Sequence, residues 1–143
     1  MPLPTELYFY PETLLIENFK SIRRLELKLR PGVNLLVGPN ASGKTNILEA
    51  IYSFHKALFP RELLKIPYSP HLPMYWRASD LFYMGDTSKH LGFGLSLRRQ
   101  RICRGKLYTG RVNLYAKFLH KGDSVEPRYV EITANAIGSW SGR

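Results

Sequence analysis

Polar and apolar positions along the chain change period several times. Arg24-Leu25-Glu26-Leu27-Lys28-Leu29 alternates strictly, as a half-buried strand does, and Leu14-Leu15-Ile16-Glu17-Asn18-Phe19 precedes it as a first strand. Pro31-Gly32 marks a turn, and the nearly all-apolar residues 33–37 predict a third, buried strand. From about residue 44 to 58 the period becomes helical. Ile47, Ile51, Phe54 and Leu58 recur at steps of four, three and four, one apolar stripe for a core, and Pro60 stops the helix. Residues 59–78 carry Pro60, Pro67, Pro70 and Pro73 among large apolar side chains, which predicts an ordered crossing loop. Alternation then returns at 91–97, 112–118 and 128–133. The predicted fold class is α/β: a strand, a loop and a helix in succession, plus an antiparallel strand group joined by hairpins. All of it falls in one domain spanning residues 1–143.

Between the third strand and the helix stand Gly38-Pro39-Asn40-Ala41-Ser42-Gly43-Lys44-Thr45-Asn46, which match the phosphate-binding pattern G-x-x-x-x-G-K-[ST] in full. Glycines at the two ends let the backbone wrap closely, so that successive N–H groups point at phosphate oxygens. The helix start adds its positive end. Amides of Ala41, Ser42, Gly43, Lys44 and Thr45 are expected to cradle phosphate. The Lys44 ammonium would offset the β and γ oxygens, and the Thr45 hydroxyl would ligate magnesium. The expected ligand is Mg-ATP or a close analogue. A plain glycine turn without ligand is the competing reading, and the strand and helix on either side weigh against it.

Charge and composition change the picture in one respect. The 143 residues are 44% apolar and 22% charged, ordinary for a soluble domain, with no membrane-length apolar run and no signal-peptide layout at the N-terminus. Cys103 is the single cysteine and the four histidines share no ligand spacing. An intracellular, cytoplasmic protein without a disulfide is therefore expected, with no metal beyond the nucleotide's magnesium. The net charge of +10, however, is concentrated. Residues 87–122 hold nine basic side chains and no acidic one, among them Arg98, Arg99, Arg101, Arg104 and Lys106 around an expected hairpin end. Such a cluster can neutralise nucleic-acid phosphates without reading bases, and Tyr108 and Tyr115 could stack on exposed bases. A solvated sheet face, or an edge guarded by charge, would look the same.

The segments Ile16-Glu17-Asn18-Phe19-Lys20-Ser21, Gly38 to Asn46 and Leu48-Glu49-Ala50-Ile51 together resemble the opening of ABC-type ATPases of the SMC/RecF and OLD-like AAA group, with their "IxNF[KR]S", "GxNGxGKSN" and "LxEAI" motifs. The resemblance is strong over residues 13–58 and continues weakly through 80–86. It implies a P-loop NTPase lobe that binds ATP and magnesium in a DNA-associated ATPase, with Lys20 and Ser21 near the adenine or ribose. Ala41 stands where relatives most often have glycine, which suits alanine only if φ stays negative. Tyr83 and Met84 stand where many relatives carry an arginine that approaches the nucleotide.

The resemblance also implies parts that this sequence lacks. No acidic residue after Lys44 follows four apolar ones, so no Walker B carboxylate is recognisable, and there is no "LSGG"-like signature segment. The chain is thus expected to be the N-terminal, nucleotide-binding lobe of an ATPase head, poorly hydrolytic alone. A second lobe or subunit would supply the Walker B and signature motifs. No catalytic residue is assigned, and whether the chain is itself an enzyme stays open. Two other readings remain: a nucleic-acid-binding module with an unused P-loop, and a small metabolite kinase. The strand pair ahead of the loop disfavours the kinase.

Overall fold

The computed structural model describes residues 6–58 and 77–136. In chain order these form β1 (Glu6–Phe19), β2 (Ile22–Lys28), α1 (Lys44–Leu58), two short 3-10 turns at Ala78–Leu81 and Tyr83–Gly85, then β3 (Leu91–Cys103), β4 (Lys106–Lys121) and β5 (Ser124–Ala136). The strands make one antiparallel sheet in the order β2-β1-β3-β4-β5. Short turns join β1 to β2, β3 to β4 and β4 to β5, and β1 and β3 pair from Glu6↔Ile102 to Glu17↔Gly92.

The strands run well beyond their clean alternations. The 91–97 pattern predicts a strand ending before Arg98, yet β3 continues through the arginines to Cys103, and β4 starts at Lys106. The reversal sits at Arg104 and Gly105, both with positive φ (51° and 72°), the two-residue geometry that fits the twist of a hairpin. The run Arg98-Arg99-Gln100-Arg101 is therefore strand interior, not hairpin end.

One face of the sheet carries the core. Leu14 and Ile16 of β1, Phe93 of β3 and Ala116 and Phe118 of β4 are buried there, with Ala50 and Phe54 of α1 laid across them. Phe54 is fully buried, with ring centroids 4.7 Å from Phe93, 5.2 Å from Phe118 and 5.9 Å from Phe19. Burying a side chain of this kind stabilises by about 1.5–3 kcal/mol. Leu81 and Phe82 close the end of this core beside Phe19, which bridges to Phe82. The helical stripe differs from the expected one. Ile47 packs on the core and Phe54 is buried, but Ile51 is 38% exposed and Ala50 takes its place. A small side chain lets the helix lie close to the sheet there. Of Leu58 only the backbone is described.

The opposite face is polar. Glu12 accepts from both Arg98 (2.7 Å) and Arg111 (2.9 Å), Tyr115 donates to Glu17 (2.8 Å), and Ser96 donates to Asn113 (2.7 Å). Alternation along antiparallel strands accounts for this split.

The α/β expectation needs correction at residues 33–37, which form no strand among the described residues. Val33, Leu35 and Val37 are 96%, 82% and 83% exposed. The chain leaves β2 through a turn held by Asn34, whose Oδ1 accepts from the Arg30 amide (3.0 Å) and whose Nδ2 donates to the Arg30 carbonyl (2.8 Å). A strand that is apolar on both sides requires neighbours on its edges and both faces. No described residue supplies them. Residues 59–76 of the expected crossing loop, Pro60 included, lie outside the described residues, as do residues 1–5.

Candidate nucleotide-binding site

The phosphate-loop residues fold as a tight turn that closes onto α1. Lys44 is the first helical residue, and the Ile47 amide donates to the Gly43 carbonyl (3.2 Å), so Gly43 already belongs to the helix's hydrogen-bond ladder. The Ser42 amide donates to the Pro39 carbonyl (3.3 Å) inside the turn. No acidic residue lies in the first turn of α1, so its positive end is uncompensated.

The two glycines of the loop answer to different demands. Gly43 has φ of 92°, outside the range that L side chains adopt readily. At Gly38 a Cβ would stand 2.8 Å from the Ser42 hydroxyl, which would have to rotate away. Ala41 departs from expectation: its φ is 63°, in the left-handed region. Alanine there costs roughly 1–2 kcal/mol relative to a right-handed conformation.

The Lys44 ammonium donates to the carbonyls of Gly38 and of Pro39, the latter at 2.9 Å. It thus spans the loop from helix to entry, where a polyphosphate could exchange for carbonyls. Thr45 is exposed. Among the described residues no three His, Cys, Asp or Glu side chains gather to hold a metal.

The turn between β1 and β2 lies against this loop, although 16 residues lie between Ser21 and Gly38. Ser21 Oγ accepts from Asn46 Nδ2 at 2.5 Å and stands 3.4 Å from where a Cβ on Gly43 would be. Lys20 pairs with Glu49 at 2.5 Å, the two side chains being 15% and 30% exposed. The motifs alone assign Glu49 no role. Its place three residues after Asn46 is the available signal, since positions i and i+3 share a helix face. Tyr83 and Met84 occupy the second 3-10 turn, with Met84 exposed at φ of 54°.

The basic segment behaves differently. Arg98 lies on the polar face with Arg111, both held by Glu12, whereas Arg99 and Arg101 alternate onto the opposite face. Lys89 pairs with Asp86 (3.9 Å) and Lys121 with Glu126 (3.4 Å). Arg99, Arg101 and Arg104 are exposed and have no ion pair among the described residues, and Lys106 is half-buried at the foot of the turn. The five residues expected as one patch are thus distributed over two faces and a turn. Tyr108 pairs across from Arg101, while Tyr115 sits on the polar face with its hydroxyl committed to Glu17. Burial, then the Glu17 hydrogen bond and charge, push the Tyr115 phenol up to about 12.

The AAA ATPase domain family matches residues 12–95, more than half of the chain. Three relatives, each named DNA replication and repair protein RecF, match shorter stretches. That of Erwinia tasmaniensis is 60% identical over 40 residues, covering 28% of this chain and 11% of its own length. That of Roseiflexus castenholzii is 50% identical over 52 residues (36% and 13%), and that of Vibrio vulnificus 48% over 54 residues (34% and 15%). The chain thus spans between 11% and 15% of the length of these relatives. Among the described residues no helix is long and apolar enough to cross a membrane.

Proposed function

Since this chain belongs to the AAA ATPase domain family, we propose that it binds Mg-ATP at Gly38 to Asn46 as the nucleotide-binding lobe of a DNA-associated ATPase. The observation that carries this reading is the closure of the loop onto an uncompensated helix N-terminus, with Lys44 lying over the loop's own carbonyls. Amides of Ala41, Gly43, Lys44 and Thr45 would receive the phosphates, and that of Ser42 would do so only by leaving the Pro39 carbonyl. Lys44 would leave its two carbonyls for β and γ oxygens, and Thr45 would hold magnesium, whose charge helps to neutralise the phosphates. Hydrolysis requires a carboxylate to orient water and a signature motif opposite the γ-phosphate. A second lobe or subunit would bring both, together with strands to cover residues 33–37. The exposed alternation of Val33, Leu35 and Val37 supports that complement. The chain alone should bind nucleotide and turn it over slowly.

Titration with a fluorescent ATP analogue, with Lys44→Ala as the paired variant, tests the reading. Loss of the ammonium should weaken binding by about a hundredfold, the scale of charge-assisted contacts to a polyanion. Equal affinity for wild type and variant would sink it.

A second role, contact with DNA, is favoured by Arg99, Arg101 and Arg104 standing exposed without ion pairs among the described residues. Gel shifts at rising salt, with and without nucleotide, distinguish an ATPase lobe that also touches DNA from a module that binds DNA regardless of nucleotide.

A further inference from the structure

The turn Asn18-Phe19-Lys20-Ser21 is over-determined. Asn18 and Lys20 both take positive φ (55° and 50°), a conformation that needs local support in residues other than glycine. Support comes from four directions. The Asn18 side chain donates to the His90 carbonyl (3.0 Å), and the Lys20 amide donates to the Leu81 carbonyl (2.9 Å). Phe19 between them is fully buried in the core, and Ile22, its cross-strand partner, is buried as well. The turn is therefore fixed to the sheet before it meets the helix. What remains of it, the Lys20 ammonium and the Ser21 hydroxyl, engages α1 at Glu49 and Asn46, one turn apart on one helix face.

We infer that Lys20–Glu49 and Ser21–Asn46 form a two-point clamp that sets the rotation and height of the first turn of α1 against the sheet, making Lys20, Ser21, Asn46 and Glu49 positioning residues for Lys44 and Thr45. The inference rests on the ATP-binding reading of the loop. It differs from a direct role for Lys20 and Ser21 at adenine or ribose, because the groups that would reach the nucleotide are engaged by α1. It also ties the first motif to the other two: Asn46, which ends the second, and Glu49, within the third, are the helix halves of contacts whose other halves lie 25 and 29 residues earlier.

The two roles predict opposite signs at Glu49. If Lys20 touches the polyphosphate or sugar directly, Glu49 is a repelling charge beside it, and Glu49→Gln should tighten ATP binding or leave it alone. If the pair is a clamp, Glu49→Gln should weaken ATP binding by about fivefold, the scale of one partly buried polar contact. Lys20→Met should do the same, and the double variant should be no worse than either single one. The exchanged pair, Lys20→Glu with Glu49→Lys, should recover much of the loss. Both single changes keep side-chain volume, and unchanged melting temperatures would show that the fold is intact. Amide hydrogen exchange at residues 47–50 without nucleotide gives an independent readout, and it should quicken in Glu49→Gln and in Ser21→Ala. Quickened exchange with weakened binding supports the clamp. Unchanged exchange, or ATP binding that tightens in Glu49→Gln, overturns it. If Lys44→Ala proves indifferent to nucleotide, the ATP reading falls, and exchange alone still decides the clamp.

Discussion

The phosphate loop and the β3–β4 arm are comparably conspicuous in the sequence, one as a motif and the other as a run of charge, and the fold treats them in opposite ways. Around the loop it gathers residues that are far apart in sequence. Ser21 meets Asn46 and Lys20 meets Glu49, across a connection that contains the whole of β2 and the loop itself. Along the arm it separates residues that are adjacent. Arg98 and Arg99 point to opposite faces, and the first shares the Glu12 carboxylate with Arg111. The reason is geometric. A turn and a helix terminus concentrate backbone groups and side chains at one point, whereas a strand sends successive side chains to opposite sides. A dense run of charge on a strand is therefore about half as concentrated as it reads.

The sharpest way to strain the loop side of this contrast is to disturb its backbone. Gly43→Ala places a Cβ at φ of 92° and 3.4 Å from Ser21 Oγ, against both the backbone and the β1–β2 turn. The expected cost is about 1–2 kcal/mol, read as roughly tenfold weaker nucleotide binding in a titration. Ala41→Gly should act the other way. It relieves a left-handed alanine while adding freedom to the unfolded chain, for a net gain of about 0.5–1 kcal/mol in loop stability and about two- to fivefold tighter binding. Weaker binding by Ala41→Gly would show that the methyl group makes contacts worth more than the strain.

On the arm, the test compares two pairs of arginines. Replacing Arg99 and Arg101 by alanine should lower the salt slope of DNA binding by about 2, one for each phosphate that an arginine no longer neutralises. Replacing Arg98 and Arg111 should lower it by less, because Glu12 already offsets one of that pair's two charges. Fluorescence anisotropy with a labelled duplex between low and moderate salt measures both slopes. Equal falls would mean that the division between faces is irrelevant to binding, and the contrast with the loop would lose its functional meaning.

What could be read in advance follows the same division between local and distant causes. The helix from Lys44 and the turn before it were legible because their determinants are local: a glycine pair and a helix period. Strand existence was legible from alternation, but the ends of β3 and β4 were not. Arg104 and Gly105 make a turn in which arginine takes the left-handed position that asparagine or aspartate more often advertises. Residues 33–37 carry a strong strand pattern, yet a strand is completed by its neighbours, and the described residues place none beside it. The choice of Ala50 over Ile51 as the contact to the sheet depends on how closely α1 approaches, which periodicity does not encode. The clamp was hidden for the same reason. Nothing within a window around Glu49 says that Lys20 will stand opposite.

Tyr115 offers the smallest and cleanest test, because its place in the basic run suggests stacking on nucleic acid, whereas the fold gives its hydroxyl to Glu17. Its phenol is pushed up to about 12, by burial first and then by the hydrogen bond and charge of Glu17. The fold therefore favours the neutral phenol. Below pH 10, where the phenol is protonated in both folded and unfolded chains, its contribution to stability is constant and fully present. Above pH 10 the unfolded chain ionises first, so the contribution drains away as pH rises through about 12. Tyr115→Phe removes that titration. The stability advantage of wild type over the variant, measured by urea midpoints from pH 8 to 11, should shrink as the pH passes 10, while DNA affinity stays the same. An advantage that holds constant across this range would mean that Tyr115 is not tied to Glu17 in solution. A loss of DNA affinity would return the side chain to the arm, and the polar face with it.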